Sequence, residues 1–318
     1  MKIPLFEPCI TNEESKYING VLSSGWLSEG EYTKEFEKLV AERSGRTFGI
    51  SISSGTAALY ILVKILGYNK WTVPDYCFIA PFNAVKSAGK VPQLKDVNRH
   101  TLSLSELDGP TILVHYNNHK VILKSYLKTI HDIAHCIGTD FSDTSGPMIV
   151  SFSAPKTVTT GQGGMILTND RRMRDECKRI KDHGRLNSDV CGRGLNLKYN
   201  DILAGFGIAQ MKKLDFLLQQ KQRINETYNR YIHTYNPTVP WVIAYESKDA
   251  EGLSQFLKTR GVESGRLYKP VHRLIGLEYN MPNATWAYEN LVYLPSAVTL
   301  QDDIIRRICD FISEYENN

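Results

Sequence analysis

The chain is short of the features that mark several large classes of protein. Its six cysteines, Cys9, Cys77, Cys136, Cys177, Cys191 and Cys309, are scattered and form no CxxC pair. That spacing favours neither a zinc ribbon nor a dithiol redox motif, and free thiols are expected. No run of about 18 apolar residues exists to span a bilayer, and no sustained apolar stretch precedes Glu7. No membrane partner and no secretory leader are therefore expected, which points to a cytoplasmic protein and makes the sequons at Asn225 and Asn283 chance matches. The net charge of +4 is mild and is not gathered into a basic stripe, so no nucleic-acid partner is expected either. GxGxxG and Walker loops are both missing, which lowers the standing of a plain nucleotide-binding protein. Low-complexity segments and internal repeats are absent as well.

What is present is ample material for a folded core. At 318 residues, with 42% hydrophobic and 23% charged side chains, the chain is expected to form two domains. Strand-like apolar runs at Phe48 to Ser53, Trp71 to Pro74, Val91 to Val97, Thr111 to His115, Ile130 to Ala134 and Met148 to Phe152 alternate with helix-like stretches. That alternation predicts an α/β fold with a mostly parallel sheet. A helical pattern follows from about Asp201 to Tyr235, where Leu203, Phe206, Ile208, Met211, Leu214, Leu217 and Leu218 recur; it reads as a connector. Beyond Pro237 come short segments, Trp241 to Tyr245, Ala250 to Thr259 and a terminal helix from Gln301 to Tyr315. We expect a large α/β domain over 1–225 and a small α+β domain over 226–318.

The most informative segment is Ser151-Phe152-Ser153-Ala154-Pro155-Lys156, followed by Thr160-Gly161-Gln162-Gly163-Gly164. Apolar runs lead into it and, at Met165 to Leu167, away from it, so Lys156 is expected on a turn joining two strands. A lysine there could form a Schiff base with pyridoxal 5'-phosphate; an isolated lysine is otherwise a solvated surface residue.

Partners for such a cofactor occur elsewhere. Ser54-Gly55-Thr56 follows one strand and opens a helix, where hydroxyls, first-turn amides and the helix dipole suit a phosphate; a plain N-cap is the other reading. Asp132 ends a strand and could pair with a pyridinium nitrogen, or simply cap the next turn. His135 follows it, and a lone histidine is also often a hydrogen-bonded structural residue. Phe78 could stack on a ring or belong to the core. Asn196, in a glycine-punctuated loop, could reach a phosphate or serve a turn.

Taken in order, these segments resemble the DegT/DnrJ/StrS-type sugar-nucleotide aminotransferases of the aspartate aminotransferase (type I) fold. The resemblance is carried by Ser24-Gly25-Trp26-Leu27-Ser28-Glu29-Gly30, Ser53 to Leu59, Asp132-Ile133-Ala134-His135, Ser151 to Gly164, Asp182-His183-Gly184-Arg185 and Gly194-Leu195-Asn196, and it continues through Tyr268-Lys269-Pro270-Val271-His272 and Leu294-Pro295. It implies a seven-stranded, mostly parallel sheet with a smaller C-terminal domain. It further implies Lys156 as the Schiff-base lysine and proton carrier, Asp132 on the pyridinium nitrogen, and Ser54, Gly55, Thr56 and Ser151 on the phosphate. Phe78 and His135 would flank the ring. Asn196 would reach the neighbouring subunit's phosphate, so a homodimer with shared active sites is implied. Trp26, Leu27, His183 and His272 would lie near the substrate. The implied reaction moves an amino group from glutamate, leaving 2-oxoglutarate, to a nucleotide-linked 3- or 4-keto sugar. Its product would be an amino sugar for a glycan such as lipopolysaccharide O-antigen, or for a natural product.

The chain departs from that pattern at Gln162, where the family usually carries Glu; the change removes a charge and keeps a hydrogen-bonding amide. The stretches from Asp96 to His131 and from Trp241 to Gln255 are also shorter than usual. Three rivals stand beside the main reading. An aminotransferase acting on a keto-cyclitol is the first alternative. A related dehydratase replaces the lysine with histidine, against which Lys156 argues. A non-catalytic pyridoxal-binding regulator would call for a DNA-binding segment, and none is evident.

Overall fold

The computed structural model describes residues 2–123, 128–186 and 189–317. In chain order its helices are α1 (Asn12–Ser24), α2 (Glu31–Arg43), α3 (Gly55–Leu66), α4 (Ala80–Ser87), α5 (Arg171–Lys181), α6 (Asp201–Lys212), α7 (Leu214–Asn229), α8 (Ala250–Thr259), α9 (Val271–Leu274), α10 (Pro282–Asn290) and α11 (Asp302–Glu316). The strands are β1 (Phe48–Ile52), β2 (Lys70–Pro74), β3 (Val91–Lys95), β4 (Thr111–Val114), β5 (Thr129–Asp132), β6 (Met148–Ser151), β7 (Gly164–Thr168), β8 (Arg185–Leu186), β9 (Asp189–Val190), β10 (Ile243–Glu246) and β11 (Leu291–Leu294).

β1 to β7 form one seven-stranded sheet in the order β1-β7-β6-β5-β4-β2-β3. Its pairs are parallel except for those of β7, which runs against both β1 and β6. This is the mostly parallel α/β sheet that the alternation of apolar runs predicts. The central strands β4 and β5 are buried along their whole length, as expected where helices cover both faces. β3, at one edge, alternates exposed and half-buried positions and carries Pro92, a residue that edge strands tolerate because one side of the strand needs no donor.

Two apolar layers flank the sheet. One packs α3, α4 and α5 through residues such as Leu59, Leu62, Val85 and Cys177 against Ile50, Ile112, Ile130 and Ile149. The other packs α2 and α6 through Phe36, Val40, Ala204 and Ile208 against Met148, Val150, Met165 and Leu167. A third core forms around β10 and β11, where α8, α11 and the second half of α7 contribute Leu253, Ile308, Ile224 and Tyr228.

The expected helix from Asp201 to Tyr235 is two helices. Lys213 breaks it with φ −105° and ψ 12°, and α7 ends at Asn229, after which Thr234 bridges to Tyr245. The apolar periodicity runs through the break because Leu214 and Leu217 still face the second layer. β1, β3, β4 and β6 stop one or two residues before the ends of their apolar runs, whereas β2 begins one residue earlier than expected, at Lys70.

The reversal of β7 gathers several strand ends at one place. It sets Gly164 opposite both Ser151 and Ile52, so the start of β7 shares one sheet edge with the ends of β1, β5 and β6. Open α/β sheets place ligand-binding residues at such an edge.

Candidate active site

A cavity of about 450 Å³ opens at that edge, lined among others by Ser54, Gly55, Thr56, Phe78, Asp132, His135, Ser151, Lys156 and Gln162. The sequence singles out all of these residues, and tertiary structure brings them together from four separate segments.

Lys156 lies in the 152–163 connection between β6 and β7, in a turn where its N–H donates to the Ser153 carbonyl (3.0 Å). Among the described residues its Nζ makes no hydrogen bond or ion pair; its close contact is the face of Trp241, 4.5 Å from Nζ to the ring centroid. Burial lowers its pKa to about 8, and the nearby Asp132 charge pulls in the opposite direction. The amine is thus partly neutral near physiological pH, which suits a nucleophile.

Asp132 ends β5 and is buried, with one carboxylate oxygen accepting the Ala134 N–H at 3.0 Å. Burial raises its pKa to about 6, while the Ala134 amide and the Lys156 charge hold it down. His135 receives the Asn117 N–H at Nδ1 (3.2 Å), which leaves the proton on Nε2, 3.3 Å from the Tyr268 hydroxyl. Burial first, and the Lys156 charge second, keep this imidazole well below its usual pKa and neutral.

The phosphate-like end of the cavity is built by α3. Ser54 caps the helix, its Oγ accepting the Ala57 N–H at 3.1 Å, and its carbonyl accepts the Ala58 N–H. The Gly55 and Thr56 amides of the first turn are the ones an anion would take. Ser151 lies alongside: a Cβ placed on Gly55 would come within 3.1 Å of the Ser151 Cβ. Among the described residues the Ser151 hydroxyl makes only long contacts to Ser153, at 3.4 and 3.5 Å, which leaves it available to a ligand.

Two aromatic residues complete the wall. Trp241 stacks on His135 with centroids 4.0 Å apart and planes 6° from parallel, and its indole donates to the Pro155 carbonyl at 2.8 Å. Tyr268 holds φ +52°, a strained conformation for a side chain of its size, and lies 5.9 Å from the exposed Phe78 ring. Sequence reasoning assigns neither a role. Tyr268 falls within a matching motif, whereas Trp241 stands in the C-terminal part with no local signature.

Other expected site residues do not reach this cavity within one chain. Asn196 is exposed and bridges to Asp182. His183, at φ +57°, borders a separate open hollow with Cys191 and Arg193. Trp26 and Leu27 are exposed; their segment is pinned through Glu29, which accepts the Lys181 amine and the Tyr199 N–H. His272 is not in the cavity lining either: it is buried against Asp75, Nδ1 to Oδ2 2.6 Å, and its N–H also binds Asp75 at 2.8 Å. A buried carboxylate needs such a partner.

Comparison with known proteins bears on the family and the fold. The profile of the DegT/DnrJ/EryC1/StrS aminotransferase family matches residues 8–108 and 119–313. GDP-perosamine synthase of Escherichia coli O157:H7 is 28% identical, with 98% of each chain covered. Among solved structures, Helicobacter pylori PseC, an aminotransferase involved in the biosynthesis of pseudoaminic acid, superposes with a TM-score of 0.91 at 21% identity, covering 100% of both chains. A putative sugar aminotransferase from Streptococcus pneumoniae in its PLP-form gives 0.90 at 21% identity, covering 100% of this chain and 99% of the other.

Proposed function

The chain belongs to the DegT/DnrJ/EryC1/StrS aminotransferase family, and from that premise we propose that it transfers an amino group from glutamate to a nucleotide-linked 3- or 4-keto sugar. The observation that carries this reading is the unpaired amine of Lys156 in one cavity with Asp132, His135 and the capped start of α3. The similarity to GDP-perosamine synthase along nearly the whole chain supports the nucleotide-sugar substrate and disfavours a keto-cyclitol or a purely regulatory role.

The family depends on pyridoxal phosphate, and the residues present fit that group: a free amine, a buried carboxylate, a loosely engaged serine hydroxyl and open helix amides. When bound, the cofactor supplies an electron sink that lets an amino group leave one carbon and join another. Lys156 would hold it covalently through Nζ and, once free, move a proton at that nitrogen; the depressed pKa keeps the neutral amine accessible. Asp132, ionised above about pH 6, would face the ring nitrogen and keep it protonated. Ser54, Gly55, Thr56 and Ser151 would hold the phosphate. Phe78 would stack on the ring, and His135, kept neutral, would donate from Nε2 near it.

Asn196, His183, Trp26 and Leu27 lie outside the cavity, which fits a homodimer in which one copy's Asn196 reaches the other's phosphate site. The division at 225/226 is proposed on the core around β10 and β11, to which Ile3 and Ile224 also contribute from the larger part. The test is spectroscopic: the reconstituted protein should show a cofactor band that shifts on adding glutamate, and the resulting form should then react with one of a panel of nucleotide keto sugars. Bound cofactor with no response to any amino donor would overturn the reading.

A further inference from the structure

Lys221 is a buried amine that the proposed reaction leaves unused. It projects from α7 at a core-facing position, between Leu217 and Ile224, both of which are almost wholly buried. No carboxylate among the described residues pairs with it. Its Nζ instead donates to the Trp241 carbonyl (2.8 Å), the Ser296 carbonyl (2.6 Å) and the Ser296 Oγ (3.3 Å), so the three donors of the ammonium meet three oxygens. A charge buried without a counter-ion is costly, and an apolar residue would fill a core position more cheaply. Burial lowers the pKa of Lys221 to about 7, which reflects that cost.

What Lys221 holds leads directly to the reacting amine. Trp241, whose carbonyl it anchors, lies parallel to Phe6 (5.1 Å) and to His135 (4.0 Å). The indole N–H is bonded to the carbonyl of Pro155, the residue before Lys156, and the Lys156 Nζ rests over the indole face. The path from Lys221 to Lys156 therefore runs through one rigid side chain.

We propose that Lys221 is a positioning residue for Lys156: by tying the main chain at Trp241 to that at Ser296, it fixes the indole against which the reacting amine is held. The proposal rests on Lys156 being the Schiff-base lysine. Small displacements of a reacting group cost rate steeply, on the order of a hundredfold for about 1 Å, so loosening the indole should appear in kcat.

The experiment compares full-length wild type with Lys221→Met, Lys221→Arg, Trp241→Ala and the double variant. In cofactor-free protein, brief labelling with acetic anhydride across a pH series, read on the Lys156 peptide by mass spectrometry, reports the environment of that amine independently of turnover. Lys221→Met should move the labelling midpoint and, in the reconstituted enzyme, lower kcat about tenfold or more with KM little changed. Lys221→Arg, which keeps the donors, should restore most of both. In the Trp241→Ala background the Lys221 change should add nothing to the labelling shift, because its route is gone. A Lys221→Met protein with wild-type labelling and kcat but a lower melting temperature would reduce Lys221 to a packing cation and overturn the proposal. If Lys221→Met does not fold, Lys221→Gln, whose shorter uncharged side chain does not tie the Trp241 and Ser296 carbonyls together as lysine does, carries the same comparison and is decided by the same two outcomes. Failure of the Lys156 assignment is separately visible, since Lys156→Met would then retain turnover whatever Lys221 does.

Discussion

Gly164 touches Ser54 so closely that a single added carbon would not fit: a Cβ on Gly164 would lie 2.5 Å from the Ser54 carbonyl carbon and 2.5 Å from the Gly55 nitrogen. Both neighbours are backbone, so no side-chain movement relieves the clash. The lysine loop and the phosphate cradle are thereby joined at one point, where the first residue of β7 supports the N-terminus of α3. Gly164→Ala should cost about 1–3 kcal/mol of stability and push the Gly55 amide out of line. Urea denaturation would measure the first effect, and titration of pyridoxal phosphate the second; unchanged cofactor affinity would argue against the cradle.

Asp132→Asn should leave the cofactor bound and slow the reaction by about a hundredfold or more, a cost typical of losing one preorganised electrostatic contact. Its stability has the opposite sign. The folded protein raises the Asp132 pKa from 3.8 to about 6, so the fold favours the protonated acid, and that contribution is lost as pH rises through about 6. Cofactor-free Asp132→Asn should therefore be at least as stable as wild type at pH 7 to 8. Kinetics and thermal melts on one preparation test both halves.

Lys156 shows the same conflict between stability and function in mirror image. Its folded pKa lies near 8, against 10.5 for the free side chain, so below about pH 8 the folded chain must carry an ammonium that it disfavours. That penalty fades as pH rises from 8 towards 10.5. Cofactor-free Lys156→Met should gain stability relative to wild type below pH 8, and the difference should close at higher pH. A difference independent of pH would mean that the amine is not buried as described.

His135 is expected to be neutral at neutral pH with its proton on Nε2, since burial and Lys156 both oppose its protonation. Nitrogen NMR shifts of labelled histidine read the tautomer directly. Tyr268→Phe removes the partner 3.3 Å away and should cost no more than about 1 kcal/mol of stability. A protonated His135 at neutral pH would contradict the arrangement.

The parts of the site that the sequence reveals are those whose chemistry is written into short strand-end segments. Ser54, Gly55 and Thr56 follow β1, Asp132 closes β5, and Ser151 and Lys156 follow one another at the β6 end; the sheet then gathers them at one edge. Trp241 and Lys221 carry no such signature. Trp241 comes from a stretch just before β10, and Lys221 from the middle of a helix whose pattern reads as connector; their significance arises only when α7 and β10 dock beneath the lysine loop. Asn196 and His183 present the converse case, for their motifs are legible but no single chain brings them to the cavity. His272 belongs to a matching motif, yet packing commits it to Asp75. The break at Lys213 is hidden in the sequence because the apolar stripe continues across it.

Every role proposed for the cavity depends on Lys156 bearing the cofactor. Borohydride reduction of the reconstituted protein, followed by digestion and mass spectrometry, fixes the cofactor to whichever lysine holds it. The modification should fall on Lys156 and should be lost after prior exchange with glutamate. Bound cofactor fixed to another lysine, or to none, would contradict it.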